Sequence, residues 1–228
     1  MARPERIVIP GLPHHITHRG NHRDLIFRQF DDYQMYLRLL RKATELYEVR
    51  IWSYALMPNH VHLIAVPERE TSLSEAIQWA HGKYAELFNS LYDTVGHLWQ
   101  GRFGSSALDE QYLLNAVRYV ERNPVRAGLV ARAEDFLWSS AAAHCGLREA
   151  SILSTDLPLL SEVDNWPEWL SGVESPEELR RIRDCTRRGK PLGSRGFVAT
   201  VKELSGRPAK GGDEGSDPSD PFQVQNIE

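Results

Sequence analysis

Two histidines one residue apart are the residues in this sequence whose spacing points most directly to chemistry. His60 and His62 flank Val61 at the start of a short apolar run that ends at Val66. In a β-strand, side chains at i and i+2 point to the same face, so both imidazoles can reach one cation. Such a pair also occurs as structural or surface histidines, and spacing alone does not separate the two uses. The pattern predicts half of a metal site.

A tyrosine and an asparagine four residues later form a second candidate site. Tyr119 and Asn123 lie one turn apart on a predicted helix. A tyrosine hydroxyl can attack a phosphodiester, and the phosphotyrosine ester conserves the bond energy for a later joining step. A divalent cation on the phosphate would assist the attack, and an amide oxygen can join the shell of that cation. The alternative is a half-buried helix aromatic at Tyr119 and a helix-ending residue at Asn123, before Pro124.

Length and cysteine usage limit the class of protein. The chain has 228 residues, of which 41% are hydrophobic, which suits one main α+β domain. Cys145 and Cys185 are far apart and form no Cys-x-x-Cys motif, so neither a disulfide framework nor a zinc knuckle is predicted. The N-terminus lacks a signal-peptide core, and no apolar run has the length of a membrane span. We therefore expect a cytoplasmic protein with no membrane partner.

The net charge of -4 is unevenly distributed along the chain. Residues 211–228 contain five acidic and no basic side chains, whereas residues 176–210 contain ten basic and four acidic ones. Arginine outnumbers lysine by 22 to 5. The planar guanidinium binds phosphate with two parallel hydrogen bonds, so the basic segment predicts phosphate contacts.

The pattern of apolar residues predicts the order strand, helix, strand, strand, helix, strand, helix. This order is typical of a ferredoxin-like α+β fold, an antiparallel sheet with helices packed on one face. The predicted elements are a strand at 13–20, a helix at 31–47, a hairpin at 51–66 turning at Pro58-Asn59, a helix at 73–92, a strand ending at 108 and a helix at 110–123.

The remainder of the chain predicts a C-terminal helical extension of the main domain. A short helix is expected at 136–141. We assign residues 1–145 to the main domain, 146–175 to a connector, 176–210 to a basic helical extension and 211–228 to an acidic disordered tail.

Three longer motifs carry a family resemblance. They are Tyr-Ala-Leu-Met-Pro-Asn-His-Val-His-Leu-Ile at 54–64, Trp-Gln-Gly-Arg-Phe at 99–103 and Tyr-Val-Glu-Arg-Asn-Pro-Val-Arg-Ala-Gly-Leu-Val at 119–130. Together they resemble the REP-associated tyrosine transposases, relatives of the single-strand insertion-sequence transposases within the HUH endonucleases. Segments 15–21 and 138–140 extend the match over about residues 1–145. Segments 187–194 and 206–210 match more weakly.

The resemblance implies a DNA-cleaving enzyme with a Mg²⁺ or Mn²⁺ cofactor. Such an enzyme would cut single-stranded DNA at hairpin-forming repetitive extragenic palindromes, joining a tyrosine to the 5′ phosphate and freeing a 3′ hydroxyl. His60 and His62 would be metal ligands, Tyr119 the nucleophile and Asn123 the third ligand. Glutamine is common at the last position in the insertion-sequence relatives. The implied partners are single-stranded DNA hairpins, bound by a monomer or a homodimer.

Five arginines in the matching motifs and the basic segment are expected to contact DNA: Arg19, Arg102, Arg126, Arg187 and Arg188. A competing hypothesis is a catalytically inactive module that holds single-stranded nucleic acid on aromatics and arginines. Such a module need keep neither the histidines nor the tyrosine. A zinc hydrolase is disfavoured because the sequence contains no His-Glu-x-x-His motif.

Overall fold

A four-stranded antiparallel sheet lies at the centre of the fold. The computed structural model describes residues 6–158 and 160–205. Within them the strand order is β2-β3-β1-β4. The strands are β1 (His14–Arg19), β2 (Val49–Met57), β3 (His60–Pro67) and β4 (Gly104–Ala107).

The helices follow the strands in the order that a ferredoxin-like fold requires. Helix α1 connects β1 to β2, and α2 connects β3 to β4, so the predicted fold is confirmed. The helices are α1 (Phe30–Tyr47), α2 (Ser72–Tyr92), α3 (Glu110–Glu121), α4 (Asn123–Arg126), α5 (Ala141–His144), α6 (Trp166–Ser171), α7 (Pro176–Arg188) and α8 (Arg195–Leu204). Short 3₁₀ turns lie at Asn21–Arg23, Ala133–Asp135 and Leu160–Glu162.

Strand β3 is apolar on both faces, and this explains where the helices lie. Val61 and Leu63 belong to the core that the sheet forms with α1 and α2. Ile64 and Val66 point the other way, into a second core with α3, α6 and α7. The prediction of helices on one face holds for α1 and α2, but α3 covers the opposite face. A strand that is buried on both sides needs cover on both.

The turn between β2 and β3 is held against the end of β1. Met57 pairs with His60 across the hairpin, as the Pro-Asn turn predicted. The backbone N–H of Gly20 donates to the Asn59 carbonyl at 2.9 Å. A Cβ at Gly20 would lie 2.4 Å from the Asp24 carbonyl oxygen, so the close approach of the Asp24 backbone to residue 20 requires glycine.

The prediction of a short helix at 136–141 is wrong in its position. Helix α5 begins only at Ala141, and the residues before it run along the edge strand β2. The Leu56 N–H donates to the Trp138 carbonyl at 2.8 Å, and the Ser140 N–H donates to the Tyr54 carbonyl at 3.0 Å. An edge strand has unpaired backbone groups, and pairing them outweighs local helix propensity in this segment.

The predicted connector and basic extension contribute to the second core. Trp166 and Leu170 of α6 are buried in it, and so is Ile182 of α7. Helix α7 begins at Pro176 with Ser175 as its N-cap, as predicted. Thr186 of α7 is only 1% exposed. The predicted acidic tail, 211–228, lies outside the described residues, and no described helix is long and apolar enough to cross a membrane.

The buried carboxylate of Glu121 anchors α3 to its surroundings. It accepts hydrogen bonds from the Ser140 hydroxyl at 2.5 Å, from Nδ1 of His144 at 2.6 Å and from the Trp166 indole at 2.9 Å. These partners belong to the segment before α5, to α5 and to α6. The Ser53 hydroxyl of β2 donates to the same carboxylate as well, at 3.3 Å. The end of α3, two residues after Tyr119, is thereby held by four hydrogen bonds, as a buried charge requires.

Candidate active site

The tyrosine of α3 and the histidine pair of β3 lie together on one face of the sheet. The ring of Tyr119 stands edge-on to the imidazole of His62, with the ring centroids 5.6 Å apart. It stands edge-on to His15 of β1 as well, at 5.5 Å. Tyr119 is 4% exposed. All these residues belong to a single chain.

Each histidine of the pair has its Nδ1 engaged by a neighbouring side chain. Nδ1 of His60 lies 2.6 Å from Oδ1 of Asn59, and a carboxamide oxygen can only accept. His60 therefore carries its proton on Nδ1 and a lone pair on Nε2. Nδ1 of His62 lies 2.9 Å from Nε2 of His15. Among the described residues, neither Nε2 of the pair has a hydrogen-bond partner.

Burial keeps both imidazoles neutral. It lowers the pKa of His60 to about 4, and the charge of Arg19 contributes to this shift. Burial also holds the pKa of His62 well below its ordinary value, with further contributions from His60, His15 and Arg126. A neutral imidazole is the form that ligates a metal. The pair therefore has the protonation state that a cation site needs at neutral pH.

Asn123, predicted as the third ligand, follows the end of α3 at the first position of α4. Its Nδ2 is buried and has no hydrogen-bond partner among the described residues. Turning the amide by a half rotation exchanges Nδ2 and Oδ1 and places an acceptor oxygen at this position. No described hydrogen bond or ring contact joins Asn123 to either histidine.

The donor set fits a divalent cation only in part. Within residues 6–158 and 160–205, no group of three or more His, Cys, Asp or Glu side chains is arranged to hold a metal ion. The two open imidazole nitrogens fit, and an amide oxygen would be a third donor of suitable type. Mg²⁺ and Mn²⁺ sites on phosphate enzymes commonly complete their shell with water and substrate oxygens. Two or three protein donors are compatible with such a site.

Arg126, predicted as a DNA contact, is engaged inside the protein. Its guanidinium donates to both oxygens of Glu174, at 2.8 and 2.7 Å, and to the Tyr119 carbonyl. Glu174 also pairs with Arg122 at 3.0 Å. The side chains of Arg126 and Glu174 are 14% and 6% exposed. Arg126 thus borders the tyrosine, and Glu174 in the predicted connector holds it there.

The other predicted DNA contacts lie at the surface. Arg19 ends β1 close enough to His60 to lower its pKa. Arg102 lies in the exposed loop before β4. Arg187 and Arg188 are exposed at the end of α7, where Arg187 pairs with Asp184 at 2.8 Å.

Tyr112, two turns before Tyr119 on α3, lies in a different environment. Its hydroxyl accepts a hydrogen bond from Arg181 of α7 at 3.0 Å, and the guanidinium of Arg181 lies 4.7 Å from the ring centroid. No ring contact joins Tyr112 to a histidine among the described residues. The two tyrosines are therefore distinguished by their neighbours.

Sequence reasoning missed three residues of this site: His15, Thr186 and Arg183. Nδ1 of His15 lies 2.7 Å from the Thr186 hydroxyl, and Cζ of Arg183 lies 5.9 Å from the Tyr119 ring centroid. Alternation along β1 places His15 on the same face as Arg19, and β1 adjoins β3 in a ferredoxin-like sheet. That signal was available for His15. Helix α7 reaches the site only through tertiary packing.

A second histidine pair lies on the opposite face and is closed to ligands. Nε2 of His18 lies 3.2 Å from the Gly101 carbonyl, so it donates. The remaining nitrogen of His18 then accepts from Nδ1 of His81 at 2.7 Å, and Nε2 of His81 accepts from the Tyr36 hydroxyl at 2.8 Å. Trp99 stacks on both imidazoles. Every imidazole nitrogen of this pair is used within the protein.

The ferredoxin-like sheet places the His-x-His pair beside a tyrosine of α3, which is the arrangement that the family resemblance implies. The family model of IS200-like transposases (Y1_Tnp) matches residues 9–123, half of the chain. The chain belongs to this family. The match ends before α6, α7 and α8.

Two solved structures are similar to this chain. A REP-associated tyrosine transposase, solved bound to a REP hairpin, has a TM-score of 0.52 and 19% identity, covering 69% of this chain and 99% of that one. This likeness concerns the fold. A Deinococcus radiodurans R1 protein described as a transposase has a TM-score of 0.38 and 16% identity, covering 53% of this chain and 97% of that one. No curated protein matches the sequence.

Proposed function

We propose that this chain cleaves single-stranded DNA beside a hairpin and joins the cut strand to Tyr119. The tyrosine oxygen would bond to phosphorus as the bond from phosphorus to the 3′ oxygen breaks. The phosphate stays on the 5′ side as a phosphotyrosine ester, and the 3′ oxygen leaves with a proton as a hydroxyl. Attack by a free 3′ hydroxyl on this ester would reverse the step and join strands.

The observation that supports this most is the contact of Tyr119 with His62, 5.6 Å between ring centroids, beside imidazoles whose Nε2 atoms are open. His60 and His62 would hold Mg²⁺ or Mn²⁺, with Asn123 as the proposed third donor. A cation there would polarise a non-bridging phosphate oxygen. The exposed Arg183 places positive charge 5.9 Å from the Tyr119 ring centroid, which favours an approaching phosphate, whereas the charge of Arg126 over the same ring is paired with Glu174.

The substrate we propose is DNA with a hairpin, the kind of DNA to which the REP-associated structural relative is bound. The surface that would receive the strand is basic. Arg19 is exposed at the end of β1, where it pairs with His60 across the strands, and Arg187 and Arg188 are exposed on α7, which packs against β4. Such contacts would position the backbone, whereas the hairpin shape would select the substrate.

The test is a search for the covalent adduct with a labelled single-stranded hairpin and Mg²⁺ or Mn²⁺. Wild-type protein should give a DNA-protein adduct that resists denaturation, and Tyr119→Phe should give none while retaining hairpin binding. Tyr112→Phe is the matched control, because it removes a hydroxyl from the same helix away from the histidines. An adduct that survives in Tyr119→Phe would overturn the proposal. Hairpin binding without any adduct in the wild type would indicate the inactive binding module instead.

A further inference from the structure

Helix α7 reaches the proposed cation site through one hydroxyl. Thr186 is buried, and its Oγ1 lies 2.7 Å from Nδ1 of His15. Nε2 of the same imidazole lies 2.9 Å from Nδ1 of His62. Three side chains from α7, β1 and β3 thus form one continuous hydrogen-bond chain. It ends at the ring whose free Nε2 would meet the cation.

The direction of this chain determines whether His62 can bind a metal. In one direction the Thr186 hydroxyl donates to the Ile182 carbonyl, 2.9 Å away, and accepts a proton from Nδ1 of His15. His15 then accepts from Nδ1 of His62, and Nε2 of His62 keeps a lone pair. In the reverse direction the hydroxyl donates to His15, and the proton of His62 moves to Nε2. That N–H would be a donor without a partner among the described residues, beside Tyr119.

We infer that Thr186, acting through His15, holds the proton of His62 on Nδ1 and so keeps its Nε2 open for a divalent cation. Asn59 does the same for His60 by accepting from its Nδ1 at 2.6 Å. Thr186 and His15 are positioning residues that touch neither cation nor substrate. This inference rests on the proposed cation site. Thr186 lies outside residues 9–123, which the family model matches.

The packing of α7 supports this assignment. A Cβ at Gly104 of β4 would lie 2.9 Å from the carbonyl oxygen of Thr186. Helix α7 can therefore lie this close to β4 because residue 104 is glycine. His15 and Thr186 are both almost fully buried. A buried hydroxyl and a buried imidazole gain most from a mutual hydrogen bond, because leaving either unpaired costs free energy. The position of α7 therefore allows the hydrogen bond between Thr186 and His15 in addition to packing in the second core.

The first test reads the tautomers directly in metal-free wild-type protein. Long-range correlation of imidazole protons with ¹⁵N should place the proton of His62, and that of His15, on Nδ1. A proton on Nε2 of His62 would overturn the inference. This measurement needs neither cation nor DNA, so its result is independent of whether Tyr119 cuts a strand.

The second test measures Mn²⁺ affinity by electron paramagnetic resonance for three variants. Thr186→Val keeps the side-chain shape and removes the hydroxyl, and it should weaken Mn²⁺ binding about 10- to 100-fold, as is typical when a partner behind a metal ligand is removed. Thr186→Ser should restore affinity to within about twofold. Thr200→Val is the control, because the exposed Thr200 of α8 also donates to a carbonyl four residues earlier and has no hydrogen bond to a histidine among the described residues.

The outcomes separate the inference from the proposed function. Unchanged Mn²⁺ affinity in Thr186→Val would contradict the inference even if the wild type forms the DNA adduct. A wild type that does not bind Mn²⁺ would count against the proposed cation site, and the ¹⁵N spectra would still decide the direction of the hydrogen-bond chain. If Thr186→Val does not fold, the wild-type spectra alone support or overturn the inference.

Discussion

The guanidinium of Arg126 lies over the ring of Tyr119, with Cζ 4.3 Å from the ring centroid. The same guanidinium donates a hydrogen bond to the Tyr119 carbonyl, which lies near the junction of α3 and α4. Glu174 orients it through both carboxylate oxygens. A residue from the predicted connector thus controls the surroundings of the proposed nucleophile.

Glu174→Gln should destabilise the protein by about 3 kcal/mol, because it leaves two nearly buried guanidiniums without their counter-charge. Urea unfolding measures this change. Asp184→Asn is the control, since it breaks an exposed pair with Arg187 and should cost less than about 1 kcal/mol. Equal effects of the two substitutions would show that the Glu174 pairs contribute no more than a surface pair.

His60→Ala and His62→Ala should each remove most Mn²⁺ binding and reduce adduct formation at least about a hundredfold, since the cation contributes several kcal/mol to charge stabilisation. Calorimetric titration with Mn²⁺ and the hairpin adduct assay provide the two measurements. His97→Ala replaces an exposed histidine in the loop after α2 and should change neither. Cleavage by the double variant in the presence of a chelator would refute the cation site.

The sequence predicted the elements whose signals are local. The β2–β3 hairpin and the start of α7 follow from a Pro-Asn turn and from the Ser-Pro cap. It also placed His60 and His62 on a common face, because alternation in a strand is a local property. The juxtaposition of this pair with Tyr119 came from the family resemblance rather than from pattern.

What the sequence did not predict depends on distant contacts. The residues at 138–140 pair with β2 because the edge of the sheet needs hydrogen-bond partners, which no local pattern encodes. Thr186 is separated from His15 by 171 residues. The charge pattern of α7 suggested a DNA-binding helix. Its core-facing side consists of a few residues between the arginines: Leu179, Ile182, Cys185 and Thr186.

The exposed arginines of α7 should contribute to DNA affinity in a salt-dependent way. Arg187→Ala with Arg188→Ala should weaken hairpin binding and lower the slope of log affinity against log salt by roughly 0.7 for each phosphate that the variant no longer binds. Fluorescence anisotropy over a salt series measures both. Point substitutions are preferable to deleting the extension, because deletion would remove Ile182 and Thr186 from the core.

The control for this experiment is Lys83→Ala on α2, across the sheet, where Lys83 pairs with Glu86. It should leave the slope unchanged. If the double arginine variant keeps the wild-type slope of log affinity against log salt, the end of α7 faces solvent and does not contact DNA.

Acid should destabilise the protein through His18, which belongs with His81 to the histidine pair that is closed to ligands. Burial lowers the pKa of His18 to about 4, whereas the unfolded chain binds that proton near 6.5. The stability that His18 contributes is therefore complete above pH 6.5 and is lost as pH falls toward 4. By pH 4.5 the loss from His18 alone should be about 2 kcal/mol. Urea unfolding at pH 7 and pH 4.5 measures the total, and His18→Gln should show a fall smaller by about that amount. The same fall in both proteins would mean that His18 is protonated alike in the folded and unfolded states.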